Sequence, residues 1–259
     1  IPVLGMNGAE AIRVGTSDTS MSDSYTTIEY NLFEQANGEG ELISLKSGQN
    51  VIRHNTVIES QGSISLRHGN NNLVKGNFIL GGEAANTGGI RVMGEDHTVI
   101  NNYMQGLRGR SALSLIEGLV DSPLHGHLQV KNATISGNTL VNNDKNVLIG
   151  EMYDAAKNQT MRVSDSILKD NVIWGVNRFS LLVHLLDEPE NMNYEGNIVY
   201  QGYVGIENEP GVLDSKPPLV QGEDGLYYYD DDSPLRDNII GQPLQRTDVG
   251  PTWIQQERE

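Results

Sequence analysis

Seven segments of this chain, IEYNLF, IRHNTV, VKGNFI, VINNYM, ISGNTL, LKDNVI and NYEGNIV, set an asparagine in the same apolar frame. The asparagines are Asn31, Asn55, Asn77, Asn102, Asn138, Asn171 and Asn197, separated in turn by 24, 22, 25, 36, 33 and 26 residues. A second register of apolar-x-apolar triplets runs beside them, at Ile12–Val14, Ile43–Leu45, Ile64–Leu66, Ile90–Val92 and Leu113–Leu115. A period near two dozen residues with two-residue alternation inside it describes a solenoid whose coils stack on one another. Asparagine suits the corner of such a coil, because it tolerates left-handed backbone and bonds locally through its amide. Identical amides stacked coil on coil also bond to each other as a ladder. No leucine-rich consensus and no 3.6-residue stripe competes with this pattern. The sequence therefore predicts an all-β chain, a right-handed parallel β-helix over residues 1–212. The two long separations mark loop insertions near residues 104–131 and 142–163. The chain opens inside a strand-and-turn unit, so further coils are expected ahead of Ile1.

Composition narrows the partners. With 37% hydrophobic residues and only three phenylalanines, the core is one of Ile, Val and Leu from short strands. There is no cysteine, hence no disulfide framework and no thiol chemistry. No apolar run reaches the length of a membrane span, so no membrane partner is expected. A net charge of −16 argues against nucleic acid. That charge is uneven: Lys46 to Arg110 holds seven bases against four acids, and Asp187 to Glu259 holds sixteen acids against four bases. A basic strip on an acidic body fits a groove for a polyanion in a secreted or periplasmic protein. Residues 213–259, rich in proline and acid and lacking the asparagine turn, are expected to close the open end of the same domain.

The strip contains the chemistry. Glu39 and Glu41 stand just ahead of Lys46, and Arg67 follows at one repeat, each cation after the same apolar-Ser-Leu triplet. Alternation along a strand turns Ser44, Lys46, Ser65 and Arg67 outward. Stacking would then set Lys46 and Arg67 on neighbouring strands about 4.8 Å apart, where mutual repulsion favours a neutral lysine. Arg13 and Arg91 take the outward middle position of their own triplets. Carboxylates for a divalent cation, an amine to take a proton and a guanidinium beside it suit β-elimination from an acidic polysaccharide. The other polar clusters read as structure: His125 and His127 as loop residues without a third metal ligand, His184 as a packed histidine, Tyr227 to Tyr229 as packing.

The segment NLFEQANGEGELISLKSGQNVIRHNTVIESQGSISLRHGN resembles polysaccharide lyase family 6, the β-helical alginate lyases and dermatan-cleaving chondroitinase B. The likeness extends to NGAEAIRVG, GGIRV, HTVINNY and DVGPTW. It implies that Lys46 is the Brønsted base, that Arg67 matches the residue assigned as catalytic acid, and that Asn7, Glu39 and Glu41 hold Ca2+. It also implies that Arg13, His68 and Arg91 contact the sugar chain. The expected reaction is calcium-assisted elimination on alginate. Arginine keeps its proton in proteins, so Arg67 as literal donor conflicts with its chemistry. The alternatives are a dermatan sulfate lyase on the same fold and a carbohydrate-binding β-helix without catalysis. A glycoside hydrolase would need paired carboxylates about 5–10 Å apart on the sheet face, where this sequence places Lys, Arg and Ser.

Overall fold

The computed structural model describes residues 7–206, 209–230, 232–233 and 242–250. Three parallel sheets of eight, seven and eight strands run the length of a parallel β-helix. The first sheet stacks Ile12–Gly15, Glu41–Lys46, Gly62–His68, Thr87–Val92, Leu113–Ile116, Lys145–Glu151, Leu181–Leu185 and Tyr203–Val204, in that order. Each of the first seven coils continues through a three-residue strand of the second sheet, such as Val51–Arg53, and a strand of the third, such as Thr56–Ile58. Among the described residues no helix is long and apolar enough to cross a membrane.

The triplets stack in register: Ile12, Ile43, Ile64, Ile90, Leu113 and Val147 form one column, and Val14, Leu45, Leu66, Val92, Leu115 and Ile149 another. From the second coil onward these side chains are at most 1% exposed. Burying an aliphatic side chain of this size contributes roughly 1.5–3 kcal/mol, so identical columns repeat the same gain at every coil.

All seven asparagines sit in one ladder at the corner between the second and third sheets. Oδ1 of Asn55, Asn77, Asn102, Asn138, Asn171 and Asn197 accepts from both the backbone N–H and the side-chain amide of the asparagine one coil earlier, at 2.9–3.1 Å. The left-handed bend belongs to the preceding residue: Tyr30, His54, Gly76, Asn101, Gly137, Asp170 and Gly196 all have φ between 51° and 63°. The ladder asparagines thus recur for their amides, while their neighbours turn the corner. A second ladder at the next corner joins Asn50 to Asn72 and ends on His97, whose Nδ1 accepts from the Asn72 N–H.

The tail lies differently from expectation. Leu213 and Asp214 still belong to the last strand of the third sheet, and the described residues from Leu219 on run back along the outside of that sheet instead of over the last coil. Leu219 and Tyr229 pack with Val141 and Val172, and Leu226 with Phe78 and Tyr103. Farther on, the Leu244 N–H donates to Thr56 Oγ1 and Arg246 pairs with Glu34 at 2.7 Å. Many outward positions of that sheet are apolar, Phe78, Val141 and Val172 among them, and the hairpin of Leu219–Gln221 and Tyr227–Tyr229 covers these. At the last coils Leu185, Met192, Tyr194, Val204 and Ile206 are only partly buried.

Candidate active site

The face of the first sheet carries the basic strip, and its local geometry departs from regular pairing at the two places that matter. Glu41 pairs with Ser63 and Ile43 with Ile64, so Leu42 is an extra residue on its strand. At the other end Leu45 pairs with Leu66 but Lys46 with His68, which leaves Arg67 as the extra residue on the facing strand. The expected side-by-side placement of Lys46 and Arg67 is corrected by this bulge. Bulges re-aim a side chain beside the ladder, and here the re-aimed side chain is that of Arg67. The outward serines Ser44, Ser65 and Ser114 are wholly buried, lying beneath the charged side chains rather than in solvent.

Three carboxylates converge. One oxygen each of Glu10, Glu39 and Glu41 lies within 4.8 Å of the others. Glu10 is absent from the sequence reading, yet its side chain is 3% exposed and its Oε1 has no hydrogen-bond partner. That oxygen stands 3.8 Å from Lys46 Nζ and 3.9 Å from Arg13 Nη1. Burial raises the Glu39 carboxyl above its ordinary value, and the charges of Glu10 and Glu41 add to it against the opposing pull of Lys46. Glu41 accepts from Ser44 Oγ at 2.6 Å, and its other oxygen faces Arg91 Nη1 at 3.6 Å and Arg67 Nε at 3.9 Å. Like charges crowded with an orphaned buried oxygen fit a hard dication bound through oxygen, as Ca2+ is. Asn7 lies exposed in the turn three residues ahead of Glu10. The Ala9 carbonyl presses on Gly38 so closely that a Cβ there would meet it at 1.9 Å, which holds this approach segment against Glu39.

Arg67 is held by the backbone of the loop that carries His125 and His127. Its Nη1 donates to the Gly126 carbonyl at 2.8 Å and its Nη2 to that of His125 at 3.0 Å. Burial lowers its pKa, Glu41 opposes this and Arg91 adds to it. The loop is clamped in turn. Gly118–Leu119 and Gln159–Met161, one from each predicted insertion, pair as an antiparallel ribbon. Gln159 Nε2 lies 2.8 Å from the Glu117 carbonyl, to which it donates, and 2.9 Å from His127 Nδ1. His68, almost fully buried, has Nε2 3.4 Å from Ser17 Oγ. Burial first, then Arg67 and Lys46, push His68 down to about 4. His127 is pushed to about 4 by burial and by Arg67 and Arg91. Both imidazoles are therefore neutral at pH 7. His184 packs edge-on against Tyr203, as a structural histidine does.

The structure thus gathers Lys46, Arg67, Glu39, Glu41, Arg13, His68 and Arg91 on one face. A cleft of about 550 Å³ lies at the last coils among residues such as Leu185, Glu188, Tyr194 and Glu209, with no basic side chain in its lining.

A family model described as Chondroitinase B matches residues 2–240. The solved structure of a PL6 family alginate lyase, AlyGC, is 33% identical with a TM-score of 0.87, covering 97% of this chain and 35% of its own. A PL6 alginate lyase in complex with a trisaccharide is 29% identical with a TM-score of 0.72, covering 87% of this chain and 52% of its own. A mannuronic acid specific family 6 lyase from human gut microbiota is 26% identical with a TM-score of 0.61, covering 80% and 46%. This chain therefore spans about a third to a half of the length of these structures. A search of curated proteins returns no match. On the family match and the shared fold, the chain belongs to the chondroitinase B family, within polysaccharide lyase family 6.

Proposed function

We propose that this chain carries the active site of an alginate lyase that works by β-elimination. The observation that supports it most is the convergence of Lys46 and Arg67 on the carboxylate cluster, at 3.8 Å from Glu10 and 3.9 Å from Glu41. The C5 proton of a uronate becomes removable only when its carboxylate is neutralised, because the carbanion formed shares its charge with that group. A calcium ion held by Glu10, Glu39 and Glu41, with Asn7 alongside, would supply that neutralisation when bound. Lys46 Nζ takes the C5 proton. The electron pair forms the C4–C5 double bond, and the C4–O bond to the next sugar breaks. Arg67 keeps its proton and acts by charge, its fork fixed by the two loop carbonyls. The leaving oxygen is then reprotonated by the Lys46 ammonium or by water. Arg13 and Arg91 line the approach, and His68, buried beside Lys46, serves as a neutral hydrogen-bonding group to the sugar at this site.

The test is to mix the protein with alginate, dermatan sulfate and pectate and follow the ultraviolet absorbance of unsaturated uronate. Product from alginate alone is the expected result. Product from dermatan sulfate alone would move the assignment to a dermatan sulfate lyase on the same fold. Binding without product from any of them would leave a carbohydrate-binding module.

A further inference from the structure

Beyond Arg91, on the side away from Lys46, a cleft of about 390 Å³ opens at the leading edge of the first sheet. Its lining brings Arg110 and Lys145 alongside Arg91, with Ser63 on the same wall and Glu151 the one carboxylate. Arg91 is already paired to Glu41. Among the described residues, neither Arg110 nor Lys145 forms an ion pair; Lys145 Nζ meets only the Gly109 carbonyl, at 3.3 Å.

Their placement is built. Arg110 lies flat across two glycines: a Cβ on Gly88 would stand 2.8 Å from its Cβ, and one on Gly40 would stand 2.9 Å from its Nη2. Gly40 joins Glu39 to Glu41, so the guanidinium lies against the turn that carries two of the converging carboxylates. A side chain at either glycine would displace the arginine. Ser63 adds an independent sign, since its Oγ is buried in this wall without a hydrogen-bond partner.

We propose that this cleft is a further subsite, in which Arg110, Lys145 and the Ser63 hydroxyl take the carboxylate of a uronate one or more sugars removed from the bond that breaks. The proposal deepens the lyase reading and rests on it for the identity of the sugar. A guanidinium matches a carboxylate with two parallel hydrogen bonds, and a nearby ammonium adds charge without fixed direction. The strip of cations then continues from Arg13 through Arg91 to Lys145, along the direction in which the coils stack.

The test compares wild type with Arg110→Ala, Lys145→Ala, the double variant, Arg110→Lys and a remote control, Lys169→Ala, whose lysine pairs with Glu195 on the second sheet. Thermal melts establish that each is folded. On long alginate the double variant should raise KM roughly tenfold or more while kcat falls much less, since a charge-assisted pair is lost from binding. Arg110→Lys should recover part of the loss, and Lys169→Ala should match wild type. Affinity electrophoresis through alginate supplies the second arm and needs no turnover: wild type should be retarded, and the double variant clearly less so. If wild type cleaves no uronan but is retarded through Arg110 and Lys145, the lyase reading fails and the subsite stands. KM and retardation both unchanged in the double variant would overturn the subsite while leaving the lyase reading intact.

Discussion

Glu10 holds together two functions at the level of single residues. Its orphaned Oε1 lies 3.8 Å from the proposed base and within the cluster that fits a cation. Replacing it with glutamine keeps the shape and removes one of three negative charges. On wild type, added calcium at a hundredfold excess over its Kd should stabilise the fold by about 2.7 kcal/mol, a rise in Tm of roughly 5–10 °C. In Glu10→Gln that rise should shrink to a small fraction, and a chelator should abolish turnover in wild type. An undiminished shift in the variant would remove Glu10 from the ion's shell. Arg67 invites a finer comparison. A lysine in its place keeps the charge but not the fork that grips the carbonyls of His125 and Gly126. If position is what the loop provides, Arg67→Lys should lose nearly as much kcat as Arg67→Ala; a well-retained rate would show that charge alone suffices. Glu10 was legible in principle. EAIRV and ELISL align with their glutamates two places ahead of the paired Ile12 and Ile43, so comparison of the first two coils marks it. The bulge at Arg67 left no such trace, because one extra residue in a strand alters no pattern of residue types.

Corners and insertions carry the load at the scale of elements. Removing one rung of the long ladder, as in Asn102→Leu, strands the two donors of Asn77 and the carbonyl of Val74 in the interior. Each unsatisfied group costs about 1–3 kcal/mol, so Tm should fall by roughly 10 °C or more, and calorimetry reads it directly. The second ladder gives a dependence on pH. His97 Nδ1 accepts from Asn72 and Nε2 faces the Met93 carbonyl, so the proton sits on Nε2 and the ring is neutral. Burial pushes its pKa down to about 4 from the ordinary 6.5. Between those values the unfolded chain binds the extra proton, so this contribution is whole above pH 6.5 and is lost as pH falls towards 4. His68 and His127 share that sign, whereas Glu117, pushed up to about 7, opposes it. The difference between wild type and His97→Asn isolates one group: the stability of the variant should fall less steeply over that range. Equal slopes would mean that His97 does not titrate on unfolding. The long ladder could be read from sequence because one residue type repeats in it. The second mixes asparagine with histidine, and the loop reaches Arg67 through backbone carbonyls, which no residue type announces.

Over the whole molecule, a stack of near-identical coils fixes the strip of cations because each coil repeats the same register. The solenoid was legible from its period, and the basic strip from the local charge. The course of the tail was not, since its contacts reach from Leu226 to Phe78 and from Arg246 to Glu34, far too distant in sequence for a local pattern. What the coils assemble is an amine and a guanidinium set around three carboxylates, and the account stands on that amine. The direct measurement is the rate of unsaturated uronate formation from alginate by Lys46→Ala and Lys46→Arg beside wild type, with calcium present and each protein shown folded. Loss of a general base predicts a fall of roughly 10²–10⁴ for alanine, and nearly as large a fall for arginine, whose guanidinium cannot give up its proton. A Lys46→Ala protein that formed product at the wild-type rate would contradict the account and move the base elsewhere on this face.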